Sequence, residues 1–324
     1  MLISRTPFRI SLFGGGSDIP DYFLKEGGKI LSFTINKYCY VTTRIPDECI
    51  EHNIRVAYSK IETCKNADQI KHPLIRTAIK DFGFDSIELH YDSDLPSHSG
   101  IGTSSSFAVG IANCFFSIKN KFPSKNELAN KAIFWERELL KENGGYQDQI
   151  AASYGGFNQI NFSRDNTYEV LPLNLSKNQI REMEERMLIC YVPIKRFSRK
   201  HSVQNFLNED ETFKKITQIK EFVDISQIAL KKNDLDEIGR LLNESWKYKK
   251  SLKNVSNAII EEIYQNAIQA GALGGKLLGA GGGGFMLFWC KSGHKNLIMK
   301  SLNKIKSVNF CIENKGSQLI YNDN

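Results

Sequence analysis

Glycines and hydroxyl side chains are concentrated in one short segment, residues 94–106, immediately before an apolar run. Gly100 and Gly102 permit a tight turn and let the backbone come close to a ligand, and residues 103–106 supply hydroxyls of the kind that begin helices. The first amides of a helix are unpaired and carry partial positive charge, so the segment is suited to an anion, most obviously phosphate. The alternative is an ordinary glycine turn with a serine N-cap. The apolar run Phe107 to Ile118 predicts a buried helix behind it.

A carboxylate follows a glycine run near the start of the chain. The alternating residues 8–13 predict a strand that breaks at Gly14 and leads to Asp18. Three successive glycines permit close approach of a ligand, and the Asp18 carboxylate can accept hydrogen bonds from ligand hydroxyls. The alternative is a plain loop in which Asp18 caps a helix from Ile19 to Lys25.

Two further acidic residues lie near the end of another predicted helix. Ser124 and Glu127 form a capping-box pattern, and apolar residues then recur at helical spacing until the glycine pair at 144–145 stops the helix. Glu136 flanks the buried stripe of this helix, with a solvated surface charge as the alternative. Asp148 comes just after the break.

Two segments of the second half have residue types with chemical meaning. The densest basic cluster, residues 195–200, follows a predicted strand from Met187 to Val192. It is either a solvated charge run or a phosphate site, since guanidinium groups bind phosphate bidentately. The glycine run 279–284 formally satisfies the dinucleotide pattern GxGxxG, but a strand is predicted after it where that motif requires a helix. No GxxxxGK[ST] sequence exists, which excludes a Walker loop.

The elements around these segments predict a mixture of strands and helices in two domains. The boundary is placed at a composition shift, giving domains 1–172 and 173–324. The elements expected in the first domain are strands 30–35, 38–45 and 54–58, a helix at 67–82 and a strand at 87–91. Those expected in the second are three helices within 212–270 with caps at Asp234 and Ser256, a strand at 285–290, a helix at 295–305, and final strands at 308–313 and 318–321.

Composition excludes several classes of protein. The 324 residues carry a mild net charge of +7 with scattered lysines, so nucleic acid is not an expected partner. The seven cysteines contain no C-x-x-C pair and favour a reducing, cytoplasmic location. No apolar run approaches the roughly 18 residues of a membrane span, and the first residues lack the pattern of a signal peptide. We expect a cytoplasmic monomer or homodimer that binds small molecules, without a membrane partner.

Three motifs and one further segment resemble those of the GHMP small-molecule kinases, the family named for galactokinase, homoserine kinase, mevalonate kinase and phosphomevalonate kinase, and the three motifs have the family's order. They are P-x-x-x-G-I-G-T-S-S from Pro96, P-x-R-x-x-L-x-G-x-x-S-D from Pro7, the stretch 134–148, and K-L-L-G-A-G-G-G-G from Lys276. The resemblance implies an α+β fold of two domains. The N-terminal one would be a mixed β/α domain with a left-handed βαβ phosphate-loop unit, and the C-terminal one a ferredoxin-like α+β domain.

The resemblance also implies ATP and Mg²⁺ as cofactors and a role for each matched residue. Asp148 would be the catalytic base and Arg9 would stabilise charge on the transferred phosphate, while Ser104 and Glu136 would bind the metal. The ATP-binding residues would be Pro96, Ser99, Gly100, Ile101, Gly102, Thr103, Ser104, Ser105 and Ser106. The substrate-binding residues would be Gly15, Gly16, Ser17, Asp18, Gly281 and Gly282, joined by Arg196, Arg199 and Lys200 of the basic cluster.

The first motif departs from galactokinase, because Gly15 and Gly16 replace the Glu-His usual there. Gly-Gly at this place is typical of the branch that contains heptose 7-phosphate kinases and fucokinases. With the basic cluster, this favours a sugar that already carries a phosphate. We expect phosphorylation of D-glycero-D-manno-heptose 7-phosphate at C1, on the way to GDP-heptose for surface polysaccharide. The alternatives are a fucokinase-like enzyme that acts on an unphosphorylated sugar and a sensor of the same fold that has lost catalysis.

Overall fold

The helices and strands of the chain can be given for residues 1–97, 99–192, 209–253, 255–302 and 305–323, which the computed structural model describes. The strands are β1 Leu2–Phe13, β2 Gly28–Arg44, β3 Ile54–Ala57, β4 Ile61–Cys64, β5 Ile87–Ser93, β6 Phe157–Phe162, β7 Tyr168–Pro172, β8 Met187–Val192, β9 Ala272–Leu277, β10 Gly284–Cys290, β11 Lys306–Val308, β12 Ile312–Glu313 and β13 Gln318–Asn322. The α-helices are α1 Pro20–Glu26, α2 Pro73–Phe82, α3 Thr103–Ile118, α4 Lys125–Ile133, α5 Gln147–Tyr154, α6 Lys177–Arg186, α7 Asp210–Lys231, α8 Leu235–Lys250, α9 Ala258–Gln269 and α10 Lys295–Ser301.

The first sheet is organised around two long strands, β1 and β2, which pair along almost their whole length. One half of β2 pairs with β6 and the other half with β5, and β3 and β4 extend the sheet beyond β5. Arg9 pairs with Thr34, and Ser11 pairs with Ser32. Because strand residues two apart share a face, Arg9 and Ser11 lie on the same side of this sheet.

The second sheet has the strand order β11-β8-β10-β9, and its pairs are all antiparallel. Helices α7, α8 and α9 join β8 to β9, and α10 joins β10 to β11. This is the strand-helix-strand-strand-helix-strand order of a ferredoxin-like unit, as the resemblance implies. The predicted α+β fold with two units is therefore confirmed.

Helix α3 anchors the phosphate loop because it is buried on nearly every side. It packs on β1 and β2 and also contacts α4 and α5. Its side chains Phe107, Val109, Ile111 and Phe115 are at most 5% exposed, as the all-round apolar sequence predicts. The phosphate loop at the start of α3 is therefore held rigidly.

Some predicted boundaries differ from the structure. The strand predicted at 8–13 begins at Leu2, and the two strands predicted between 30 and 45 are one continuous strand, β2. The helix predicted at 67–82 is a 3₁₀ turn, Ala67–Gln69, followed by α2, because Pro73 starts a new helix. The capping box at Ser124 is confirmed. The helix behind it changes to a π-helical turn, Phe134–Leu139, and ends before the glycine pair at 144–145.

The prediction that the last two strands complete the second domain is wrong, because the end of the chain returns to the first sheet. Strands β12 and β13 pair with β2 and β1 of the first sheet, and only β11 joins the second sheet. These strands are too short for sequence alone to indicate a partner, and a chain that returns to its first strand cannot be recognised from local pattern. Strand β9 was not predicted, and the N-cap of α9 is Asn257 rather than Ser256. The cap at Asp234 is confirmed. The boundary at residue 172 stays a prediction.

Candidate active site

The segment 99–106 forms a glycine turn that leads straight into α3. Gly100 and Gly102 have φ angles of 86° and 77°, a region that favours glycine, and Gly102 is the N-cap. Gly102 has no side chain with which to cap the helix start. The turn with a serine N-cap is therefore not what forms. The uncapped amides at the start of a buried helix make this a suitable site for a phosphate group.

The hydroxyls of this loop serve different purposes. Ser99 donates a hydrogen bond to Pro96 O, at 2.7 Å, and the buried Ser106 donates one to Pro7 O, at 2.9 Å. Ser105 is buried and donates to the Glu136 carboxylate, while Ser104 is only half-buried. The side chains of Ser99, Ser105 and Ser106 therefore hold the loop, and that of Ser104 is open to solvent.

The glycine run of the second unit packs directly on this loop. Phe285 N donates to Ser99 O at 3.0 Å, across the two units. A Cβ added to Gly279 would lie 2.5 Å from the Cα of Gly100, so only glycine fits there. A Cβ added to Gly282 would meet no described atom within 4 Å, so the space beside this glycine is open. The structure thus brings the glycine-rich motif 276–284 against the phosphate loop.

Arg9 and Asp148 form a close ion pair beside the phosphate loop. Arg9 Nε lies 2.7 Å from Asp148 Oδ1, and Arg9 also donates to Gly100 O at 2.8 Å. The Arg9 side chain is 5% exposed and the Asp148 side chain 24%. Asp148 lies in the first turn of α5, and its Oδ2 is 3.4 Å from the Cβ position at Gly102. A partly exposed carboxylate therefore points to the place where phosphate would bind.

Asp18 lies in the same site and is not a helix cap, because the N-cap of α1 is Ile19. It is 2% exposed and accepts hydrogen bonds from Gly16 N at 3.0 Å and Gln147 N at 3.3 Å. A Cβ on Gly145 would lie 1.8 Å from Asp18 Oδ2, so the second glycine of the pair at 144–145 makes room for this carboxylate. Burial, and then the negative charge of Asp148, raise the pKa of Asp18.

Glu136 is buried, which rules out the solvated surface charge. It is 2% exposed, and its Oε2 accepts hydrogen bonds from Ser105 at 2.7 Å and from Gln149 at 2.5 Å. Burial raises the pKa of this carboxyl, although Arg137 and the hydrogen bonds act in the opposite direction. The hydroxyl in contact with Glu136 is thus that of Ser105, and the pairing of Ser104 with Glu136 at a metal stays a prediction.

Two lysines of the second unit lie near Arg9, and sequence analysis predicted no role for either. Lys276 is 4% exposed and donates to Leu12 O at 2.9 Å. Lys249 is partly buried and donates to Leu277 O at 2.6 Å and Gly279 O at 2.8 Å. Burial, followed by the charge of Arg9, lowers the pKa of Lys276 to about 7. Burial, followed by Lys276 and Arg9, lowers the pKa of Lys249 well below its usual value.

Arg196, Arg199 and Lys200 lie outside the described residues.

Models of the GHMP kinase N-terminal and C-terminal domains match residues 70–156 and 226–305. D-glycero-alpha-D-manno-heptose 7-phosphate kinase of Campylobacter jejuni is 33% identical over 93% of this chain and 93% of its own length. This chain belongs to the GHMP kinase family. It is an ATP-dependent phosphotransferase with an alcohol group as acceptor.

Other proteins similar to this GHMP kinase are also named as sugar kinases. A bifunctional fucokinase/GDP-fucose pyrophosphorylase of Arabidopsis thaliana is 29% identical over 89% of this chain, which covers 30% of that protein. Among solved structures, a D-glycero-D-manno-heptose 1-phosphate kinase from Bacteriodes thetaiotaomicron has a TM-score of 0.81 at 28% identity, covering 99% of this chain and 100% of that chain. A galactokinase from Lactococcus lactis bound to galactose shares the fold, with a TM-score of 0.76 at 17% identity over 98% of this kinase and 94% of that chain. No helix among the described residues of this kinase is long and apolar enough to span a membrane.

Sequence reasoning missed several residues of the site. Gln149 contacts Glu136, and its position one residue after Asp148 was the only available signal. Lys276 is the first residue of the glycine-rich motif 276–284, and the resemblance implied no function for it. Lys249 lies in the last turn of α8 among other lysines, where basic residues are common because they complement the helix dipole. Nothing in the sequence distinguishes it from them.

Proposed function

We propose that this GHMP kinase transfers the terminal phosphate of ATP to the C1 hydroxyl of D-glycero-D-manno-heptose 7-phosphate. The product would be the 1,7-bisphosphate, a precursor of GDP-heptose for surface polysaccharide. The observation that carries the chemistry is the Arg9–Asp148 pair at 2.7 Å, set beside the phosphate loop and near Asp18. The name of the Campylobacter jejuni relative supports the sugar, as does the Gly15–Gly16 pair.

Asp148 is suited to the role of general base. Its Oδ1 is held by Arg9, which fixes the direction of the carboxylate, and its side chain remains 24% exposed for a substrate hydroxyl. In the proposed reaction it accepts the proton of that hydroxyl, while Arg9 neutralises charge on the transferred group. Phosphoryl transfer depends mainly on such positioning and charge neutralisation.

The start of α3 and Glu136 are suited to hold ATP with its metal. The uncapped amides of the helix would bind phosphate oxygens. Mg²⁺ usually takes one or two protein oxygen ligands together with phosphate oxygens, and the donor set of Glu136 with the half-buried Ser104 fits that preference. The buried carboxylate, whose pKa is raised by desolvation, would also be stabilised by a cation. When bound, the metal would supply charge neutralisation of the phosphates.

The sugar would lie against Asp18 and the glycine run 14–16. Two buried polar atoms, Ser11 Oγ and Gln147 Oε1, have no hydrogen-bond partner among the described residues. Buried polar atoms are normally paired, so these two are consistent with a ligand rich in hydroxyls. Ser11 Oγ lies 3.7 Å from the Cβ position at Gly15, next to the glycine run. Arg196, Arg199 and Lys200 would add contacts to the sugar's own phosphate, and Gly281 and Gly282 would line the substrate side.

The principal alternative is a fucokinase-like enzyme, which the Arabidopsis thaliana relative supports. The names of the two heptose phosphate kinases also differ in the position of the phosphate. The experiment is a comparison of ADP release with heptose 7-phosphate, unphosphorylated heptose, L-fucose and galactose. We expect the highest kcat/KM with heptose 7-phosphate. A preference for fucose would support the alternative, and no turnover with any sugar would favour a sensor.

A further inference from the structure

Three cationic side chains converge where the two units meet. Arg9 comes from β1, Lys249 from the last turn of α8 and Lys276 from β9. Lys276 contacts the end of β1 at Leu12 O, and Lys249 contacts the loop that packs on Gly100. The charges of Lys276 and Arg9 are both close enough to Lys249 to lower its pKa. They form one electrostatic cluster beside the phosphate loop.

The negative charge that faces this cluster is too small to balance it. Asp148 pairs with Arg9. Within the described ranges, neither Lys249 nor Lys276 forms an ion pair with a carboxylate. The residues outside those ranges contain no Asp or Glu side chain, so they supply no acidic side-chain partner. An ammonium group that is removed from water without a counter-charge is unfavourable. An anion bound beside the two lysines would therefore stabilise their charged forms.

Within the described part of the chain, the hydrogen bonds of the Lys249 and Lys276 ammonium groups do not use all of their N–H donors. An ammonium group has three donors. Lys276 uses one of them on Leu12 O, and Lys249 uses two on Leu277 O and Gly279 O. Purely structural lysines in a buried place would have all donors satisfied by the protein. Among the described residues, at least one donor of each lysine has no acceptor and is left for a ligand oxygen.

We propose that Lys249 and Lys276 together form an anion site that takes a phosphate group of a bound substrate. The ligand chemistry has two sources, the phosphate that the sugar carries and the terminal phosphate of ATP. Lys276 contacts Leu12 O, and the preceding residue, Ser11, has a buried hydroxyl without a hydrogen-bond partner among the described residues. The inference rests on the proposed function for the identity of the substrates. Its prediction of phosphate binding, however, can be tested without turnover.

The test compares Lys249→Met and Lys276→Met with Lys247→Met, a matched control. Lys247 lies in the same last turn of α8 as Lys249, but its side chain is 57% exposed and pairs with Glu244. Loss of a charge-assisted contact should raise the KM of the substrate that supplies the phosphate by about ten- to a hundred-fold. Lys249→Arg should recover part of the affinity because it keeps the charge. The control should match the wild type.

The pattern of KM values separates the two sources. If the sugar supplies the phosphate, the KM for heptose 7-phosphate rises and the KM for unphosphorylated heptose does not. If ATP supplies it, the KM for ATP rises with either sugar. If both KM values equal those of the Lys247→Met control, the proposal is wrong.

A second measurement keeps the inference separate from the choice of sugar. Inorganic phosphate should raise the thermal unfolding midpoint of the wild type and of Lys247→Met, and should raise it much less for the other two methionine variants. The substitutions also remove hydrogen bonds to Leu12 O, Leu277 O and Gly279 O, so the phosphate shift of each variant is measured from its own unfolding midpoint without phosphate. A wild type that ignores heptose 7-phosphate would refute the proposed function alone. Equal phosphate shifts in all four proteins would refute the lysine site alone.

Discussion

The substitution Asp148→Asn removes one negative charge and almost no volume from the site. Asparagine can still accept the hydrogen bond from Arg9 Nε, which is 2.7 Å long in the wild type. A hydrogen bond to a charged acceptor contributes about 1.5–3 kcal/mol and a neutral one about 0.5–1.5, so the loss in stability should be about 1 kcal/mol. The partial exposure of Asp148 reduces this further. The variant should therefore fold normally.

Catalysis should respond much more strongly than stability. An amide cannot accept the proton of the attacking hydroxyl, so kcat should fall on the order of 10²- to 10⁴-fold. The KM for ATP should not rise, because Arg9, Lys249 and Lys276 then face a site with one negative charge fewer.

The assay is steady-state ADP release, with unfolding followed in parallel by circular dichroism. The control is Asp224→Asn, which breaks the exposed pair with Lys29 and should leave kcat unchanged. A folded Asp148→Asn variant with the kcat of the wild type would refute the assignment of the base. A raised KM for ATP would contradict the charge argument.

Three further predictions concern the metal, the buried lysine and the basic cluster. Ser104→Ala should raise the Mg²⁺ concentration for half-maximal activity because a metal ligand is lost. Ser105→Ala should instead lower the free energy of unfolding, measured in urea, by about 1–3 kcal/mol because Glu136 loses a buried donor. The reverse pattern would make Ser105 the metal ligand. Lys276 has a folded pKa of about 7, below the ordinary value of 10.5, so between these pH values the unfolded chain binds a proton that the folded chain lacks. Stability should therefore rise from pH 7 towards pH 9, less so in Lys276→Met, and equal slopes in urea titrations would contradict the shift. Arg199→Ala should raise the KM for heptose 7-phosphate by about ten- to a hundred-fold without changing that for ATP; an unchanged preference for the phosphorylated sugar would exclude this residue.

The sequence was most informative where local pattern and structure coincide. The glycines at 100 and 102 have the backbone angles that their position before a hydroxyl-rich helix start predicts. The apolar sequence of α3 predicted its burial correctly. Arg9 and Asp148 are 139 residues apart in the chain, and only the resemblance to a family placed them together.

Contacts between distant segments were the main source of error. Glu136 resembles a surface charge in its helix, and its burial follows from hydrogen bonds to Ser105 and Gln149 that no spacing rule contains. Strand β13 pairs with β1 at the opposite end of the chain, and its five residues carry too little pattern to indicate this. Lys249 has the sequence context of an ordinary helix end.

The most direct test of the proposed reaction is the identity of its product. The purified protein is incubated with ATP, Mg²⁺ and D-glycero-D-manno-heptose 7-phosphate, and the product is examined by phosphorus NMR together with ADP release. We expect one new phosphate ester, coupled to the anomeric proton, for each ADP formed, with the original phosphate retained. A new phosphate on another carbon would contradict transfer to C1, and the absence of any product would contradict the proposed substrate.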